Sequence, residues 1–175
     1  MRTRCLLLGL LLAASACGGS ASRPGPIDGP YALVATGAAP GKLLALGSGF
    51  ALDCKPQTNI RQLDFSATNS GDAASYLRFS LKDYEGPKAY TITYGETQQP
   101  HTVEVGVGGY AYQFDTSKRD GDSVGSSCTF ELDSERAGTM TCLMLFAVRG
   151  SPDYVDPGDG LLQGFADVYA RFECP

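Results

Sequence analysis

One stretch, Ser127–Phe146, constrains the fold of this chain more than any other. It holds two cysteines, a short polar turn and two runs in which apolar and polar residues alternate with the period of a β-strand. A loop at Ser134–Arg136 would place Cys128 directly opposite Cys142. Directly opposed residues lie about 4.5 to 5.5 Å apart, which a disulfide can bridge. The stretch therefore predicts a β-hairpin held by a cross-strand disulfide.

The same alternation predicts which side chains of the hairpin share a face. The register that opposes the cysteines also pairs Phe130 with Met140 and Glu131 with Thr139. One face is expected to carry the apolar side chains Cys128, Phe130 and Leu132 from the first strand and Met140, Cys142, Met144 and Phe146 from the second. This set is the candidate core of the hairpin.

The remaining chain from Ile27 onward also alternates with a period of two between turn residues, without a convincing amphipathic helix. With 22 Gly and 10 Pro in 175 residues, turns are frequent. The predicted strands are Tyr31–Thr36, Lys42–Cys54 with a kink or bulge at Gly47 and Gly49, Gln62–Ala67, Ser75–Lys82, Ala89–Tyr94, Thr102–Val107, Gly109–Asp115, Ser127–Asp133, Thr139–Val148 and Leu161–Cys174 with a bend at Gly164. We expect an all-β fold, an antiparallel β-sandwich or jelly roll of about 8–10 strands.

A second disulfide follows from the cysteines that remain. Four cysteines allow three connectivities, and the hairpin accounts for one pair. Cys54 shares a strand face with apolar Leu52, and Cys174 shares one with apolar Phe172. We therefore expect a Cys54–Cys174 disulfide that ties the first long strand to the last.

The N-terminal residues have the pattern of a secretory leader. Arg2 and Arg4 precede an apolar run, Cys5–Ala13, that is too short to span a bilayer. The run ends in Ala14-Ser15-Ala16-Cys17, so residues 1–16 are the expected signal peptide. Removal of the leader leaves five cysteines, and thioether lipidation of Cys17 would leave an even set.

Residues 17–30 are then a lipidated flexible tether, rich in Gly, Ser, Ala and Pro, and residues 31–175 form a single β-sandwich domain. We expect an extracytoplasmic protein that reaches the membrane through the lipid on Cys17. Its net charge of −5 and the lack of a basic patch argue against nucleic acid as a partner. The protein or ligand partner is not specified by the sequence.

Several motifs together resemble the small lipoproteins of GC-rich bacteria that carry one β-sandwich after a lipobox. They are Cys17 with its Gly18-Gly19-Ser20 continuation, the turn Tyr84–Tyr90, the two-cysteine hairpin and the terminus Phe172–Pro175. An internal cysteine and an end near Cys174-Pro175 are also similar to the mycobacterial 19 kDa lipoprotein antigens. The resemblance implies a cell-envelope location, in the outer membrane if the host has one, because Gly18 replaces the inner-membrane retention residue Asp.

The sequence offers only weak evidence for catalytic residues. Gly121–Gly125 matches G-x-S-x-G around Ser123, but a nucleophile elbow needs a following helix and a later histidine. The single histidine, His101, precedes Ser123 and is expected to be exposed at the start of a strand. We interpret Ser123 as part of a turn, and we expect no zinc at His101.

The acidic loop 151–160 is the remaining candidate for ligand binding. Asp153, Asp156 and Asp159 are spaced by three, unlike the ligands of an EF-hand, so a solvated loop is expected and no metal site is assigned. An irregular calcium site in this loop stays open as an alternative. No P-loop, dinucleotide fingerprint or CxxC predicts a cofactor. We expect a structural, adhesive or ligand-binding protein and no enzyme; the alternative is an extracytoplasmic hydrolase with a carboxylate-based site.

Overall fold

The computed structural model describes residues 27–93, 101–115, 126–155 and 164–175, and these form an all-β fold. One short 3₁₀ turn, Thr58–Ile60, lies between two strands. The strands are β1 Tyr31–Val34, β2 Leu43–Ala45, β3 Phe50–Gln57, β4 Gln62–Asn69, β5 Tyr76–Lys82, β6 Ala89–Thr93, β7 Thr102–Val107, β8 Tyr110–Asp115, β9 Ser127–Leu132, β10 Ala137–Ala147 and β11 Phe165–Glu173.

All strand pairs are antiparallel, and they run in the order β2-β1-β11-β10-β8-β7-β5-β4-β3. Strand β10 is where this sheet branches, because its first half pairs with β9, which pairs with β6, and its end pairs with β8. The curled sheet turns apolar faces toward each other around one core. The predicted all-β, antiparallel, sandwich-like fold is confirmed.

The hairpin register is also confirmed. Cys142 lies opposite Cys128, Met140 opposite Phe130, and Thr139 opposite Glu131. Beyond Cys142 the prediction is wrong, because Met144 and Phe146 are only partly buried while Leu145 and Ala147 face the core.

A β-bulge causes this change of face. The register of β10 against β11 shifts between Cys142 and Leu145, and Met144 has a φ of 56°. The Met144 backbone N–H donates to Asp167 Oδ1 at 2.9 Å, so a side chain replaces the ladder partner that the bulge removes. The bulge thus re-aims the end of β10 at the point where it leaves β9 and joins β8.

The predicted single strand Lys42–Cys54 is two strands. The chain turns at Gly47–Gly49, where Phe50 N–H donates to the Gly47 carbonyl at 3.2 Å and Gly49 has a φ of 94°. A positive φ is accessible to glycine at little cost, so the chain reverses here and does not merely kink. As a result β2 pairs with β1, whereas β3 pairs with β4.

Four phenylalanines form the centre of the core. Phe65 and Phe79 come from neighbouring strands of one branch, and Phe130 and Phe172 come from the opposing strands β9 and β11. All four are almost fully buried, and the contacting rings have centroids 5.0–5.2 Å apart. Contact between Phe79 and Phe130 shows that the two branches face each other.

The turn between β5 and β6 is closed by a tyrosine. The Tyr90 hydroxyl accepts a hydrogen bond from the Glu85 N–H at 2.9 Å and donates one to the Gly86 carbonyl at 2.6 Å. The Tyr84 side chain is buried, and its ring lies 6.0 Å from that of Tyr90. One hydroxyl therefore fixes a turn that contains Gly86 and Pro87.

Candidate functional site

The outer surface of β3, β4, β5 and β7 forms a continuous sheet face, here called the polar face. Every second residue of these strands points inward and is apolar over most of their length, as Leu63, Phe65, Leu77 and Phe79 illustrate. The outward positions carry polar side chains: Asp53, Lys55, Gln57, Gln62, Asp64, Ser66, Tyr76, Arg78, Ser80, Lys82, Thr102 and Glu104.

Asp64 is the centre of a hydrogen-bonded cluster on this face. The Gln57 side-chain amide donates to Asp64 Oδ2 at 2.7 Å, and the Gln62 amide donates to Asp64 Oδ1 at 2.6 Å. Lys82 Nζ donates in turn to Gln62 Oε1. Partial burial raises the pKa of Asp64, but the hydrogen bonds from Gln62 and Gln57 and the charge of Lys82 together hold that pKa below its ordinary value. Asp64 is therefore a fixed, ionised acceptor.

Tyr76 and Arg78 form a stacked pair beside this cluster. Tyr76 lies opposite Gly106 across β5 and β7, and a Cβ atom at Gly106 would come within 2.5 Å of the Tyr76 ring. Glycine is therefore required for the ring to lie flat on the neighbouring strand. The Arg78 guanidinium lies 4.6 Å from the centroid of the same ring, and Arg78 is a cross-strand neighbour of Glu104.

The polar face offers fixed donors and acceptors of both charges on a surface built from strands. Such an arrangement can bind a polar ligand or another polar surface, since hydrogen-bonding groups held by a sheet lose little freedom on binding. In the described part of the chain, no group of three or more His, Cys, Asp or Glu side chains could hold a metal ion. The chemistry that the polar face supports is hydrogen-bonded recognition.

The four cysteines of the domain are joined in the pairing that the strand pattern predicts. Cys128–Cys142 links β9 to β10 across the hairpin, with both residues fully buried. Cys54–Cys174 links β3 to the residue after β11, with Cα atoms 6.3 Å apart. Two disulfides indicate an oxidising, extracytoplasmic compartment. Cys17 lies outside the described residues.

His101 is buried, with 3% of its surface exposed, so the prediction of an exposed histidine is wrong. Its Nδ1 accepts a hydrogen bond from the Lys82 backbone N–H at 3.1 Å. Burial lowers the pKa of His101, while the nearby charge of Asp83 opposes this shift. His101 has the same parity as the core residues Val103 and Val105, a signal from which its burial could have been predicted.

The other sequence candidates fall partly or wholly outside the described residues. Ser123 is outside them, as are Asp156 and Asp159 of the acidic loop. Within the described part of that loop, Ser151 Oγ donates to Asp153 Oδ1 at 2.5 Å and accepts from the Ala111 N–H at 3.2 Å. Asp153 is thus held by Ser151 of its own loop, and Ser151 is held in turn by β8.

The cluster around Asp64 was not predicted from the sequence. Its only sequence signal is polar residues at alternate positions of β4, which many solvent-facing strands share. Comparison of the chain with protein-family models, with curated proteins and with solved structures found no match to any of them.

Proposed function

We propose that this protein is a lipid-anchored lipoprotein of the bacterial cell envelope whose β-sandwich has a structural, adhesive or ligand-binding role. The observation that carries the proposal is the use of its cysteines. The two disulfides consume Cys54, Cys174, Cys128 and Cys142, so Cys17 is the one cysteine that follows the expected cleavage site and has no disulfide partner among them. Lipidation gives that thiol a chemical role in an oxidising compartment.

The charge and geometry of the polar face support a binding role. Asp64 and Arg78 supply opposite charges on neighbouring strands, and Gln57 and Gln62 supply amides of fixed orientation. A carboxylate-based hydrolase would need two carboxylates that converge on a substrate, whereas Asp64 is hydrogen-bonded to two amides. Recognition is therefore the role that we propose. The described residues contain no helix long and apolar enough to cross a membrane.

The anchor is tested by metabolic labelling with a fatty acid and by detergent-phase partitioning. The wild type should take up label and enter the detergent phase, and Cys17→Ser should do neither. Cys5→Ser is the matched control, because Cys5 lies inside the leader and should leave labelling unchanged. An unlabelled wild type would refute the anchor.

The adhesive form of this role is tested with the cell wall as the ligand of the polar face, by pelleting the protein with insoluble cell-wall material from the host. The wild type should pellet, and Asp64→Asn combined with Arg78→Ala should pellet less. Ile60→Ala is the control, because Ile60 is exposed but lies in the turn between β3 and β4. Equal pelleting of all three proteins, or pelleting of none, would contradict recognition of the cell wall by the polar face.

A further inference from the structure

The sandwich has a second outer surface with the opposite character, here called the apolar face. Its apolar members are outward-facing side chains on β1, β2, β10 and β11: Leu33, Leu43, Leu143, Phe146, Phe165 and Tyr169. The polar residues Thr139, Thr141, Asp167 and Arg171 take other outward positions of β10 and β11. Leu43 is 48% exposed, Phe165 43% and Leu143 41%, although the hydrophobic effect favours burial of such side chains. In the described part of the chain, three of the four large apolar side chains that are exposed lie on this face.

We propose that the apolar face rests on the surface of the lipid bilayer and that the polar face points away from it. The inference rests on the proposed anchor at Cys17 and adds an orientation to it. Contiguous exposed apolar surface on a soluble domain marks a site of interaction with a membrane or a protein.

The strand register makes the apolar residues neighbours. Leu43 lies opposite Leu33, and Leu33 lies opposite Tyr169, so three adjacent strands contribute one row. Phe146 and Phe165 form a second cross-strand pair further along β10 and β11. The face therefore spans four strands.

The short stretch of chain between Cys17 and β1 favours the bilayer as the surface that the apolar face contacts. Tyr31, the first residue of β1, follows Cys17 by 14 positions in the sequence. A fully extended chain of that length reaches at most about 50 Å, and a flexible one averages about 20 Å. A lipid on Cys17 therefore keeps the start of β1 within about 50 Å of the membrane. Because β1 is one of the strands of the apolar face, the tether joins the domain on the side where that face lies.

The polar atoms of this face also suit a membrane interface. Half-buried Tyr169 combines a ring with a hydroxyl, the combination that is enriched where hydrocarbon meets water. Exposed Arg171 is the cross-strand neighbour of Tyr31 and can reach lipid phosphates. The one carboxylate among these outward residues near Tyr169, that of Asp167, accepts a hydrogen bond from the Met144 N–H within the bulge.

The test uses single tryptophans, because the chain has none of its own. The variants Leu43→Trp, Phe165→Trp and the control Ile60→Trp are purified with their lipid and placed in phosphatidylcholine vesicles, with or without brominated acyl chains. We expect Leu43→Trp and Phe165→Trp to show blue-shifted emission and to lose fluorescence to bromine. Ile60→Trp should show neither change, although Ile60 is 51% exposed. Circular dichroism verifies that each variant is folded, and two variants on the face guard against the failure of one.

Equal quenching of the three tryptophans, or quenching of none, would overturn the proposed orientation. Self-association in sedimentation, with blue-shifted emission at Leu43→Trp before vesicles are added, would assign the face to a second copy of the chain and also overturn it. If the chain carries no lipid, the anchor fails, and the orientation is tested with the Cys17 thiol coupled to a maleimide phospholipid. Selective quenching in the coupled protein would support the orientation, and unselective quenching would refute it.

Discussion

Removing the Cys54–Cys174 disulfide should destabilise the domain more through chain entropy than removing Cys128–Cys142. The two bridges join residues separated by 120 and by 14 positions. In the chain-entropy model, a closed loop of the first size contributes about 5 kcal/mol and one of the second size about 3 kcal/mol. Because small domains are stable by only about 5–15 kcal/mol, the variant Cys54→Ala with Cys174→Ala should lose a large part of its free energy of unfolding.

Urea denaturation followed by circular dichroism measures both variants against the wild type. Without the disulfide that closes the longer loop, the unfolded chain can expand further and expose more surface. The slope m of the free energy of unfolding against urea concentration should therefore rise most in the variant without Cys54–Cys174. This second signature matters because Cys128 and Cys142 are fully buried, and their replacement by alanine adds a packing cost. An unchanged m together with a loss below about 1 kcal/mol for the Cys54–Cys174 variant would refute the entropic account.

Three further predictions concern single side chains. Tyr90→Phe removes the hydroxyl that bonds to Glu85 and Gly86, and it should cost about 1–2 kcal/mol in denaturation experiments, because two hydrogen bonds are lost. Burial lowers the pKa of His101, so the unfolded chain binds a proton at a higher pH than the folded protein does, and wild-type stability should fall as the pH drops below about 6.5. The melting temperature of His101→Asn should depend less on pH in this window, and equal slopes of melting temperature against pH for variant and wild type would contradict the assignment. Although burial raises the pKa of Asp64, its hydrogen bonds hold that pKa low, so the ionised carboxylate stabilises the fold fully above about pH 4, and this contribution is lost as the pH falls through the lowered pKa. Asp64→Asn should therefore lower the melting temperature near neutral pH but not in strong acid, and an equal effect at both pH values would contradict this account.

The parts of the fold that depend on local alternation could be predicted from the sequence. The register of β9 and β10 follows from parity, because a slip by one residue would move Cys128 and Phe130 to the solvent face. The second disulfide follows from the same parity together with elimination of the first pair.

The features that depend on long-range pairing or on a single backbone torsion could not be predicted. The change of face at Met144 requires the carboxylate of Asp167, 23 residues away along the chain. The reversal at Gly49 depends on a positive φ that glycine permits but does not require. The branching of the sheet at β10 follows from both the bulge and the order of strands.

The candidate site illustrates the same limit. Gln57, Asp64 and Lys82 are ordinary outward-facing residues in the sequence, and they meet because β3, β4 and β5 are adjacent. The opposite character of the two outer faces likewise becomes visible only when the strand order assigns each outward-facing residue to one face. By contrast, the expectation about Cys17 depends on the sequence alone.

The most direct test of the central claim is the intact mass of the mature protein isolated from membranes of its host, measured without reduction. The account predicts a chain that begins at Cys17, carries thioether-linked diacylglycerol, and lacks four hydrogens because Cys54–Cys174 and Cys128–Cys142 are formed. A mature chain with a free thiol at Cys17, or one that retains its first 16 residues without lipid, would contradict the account.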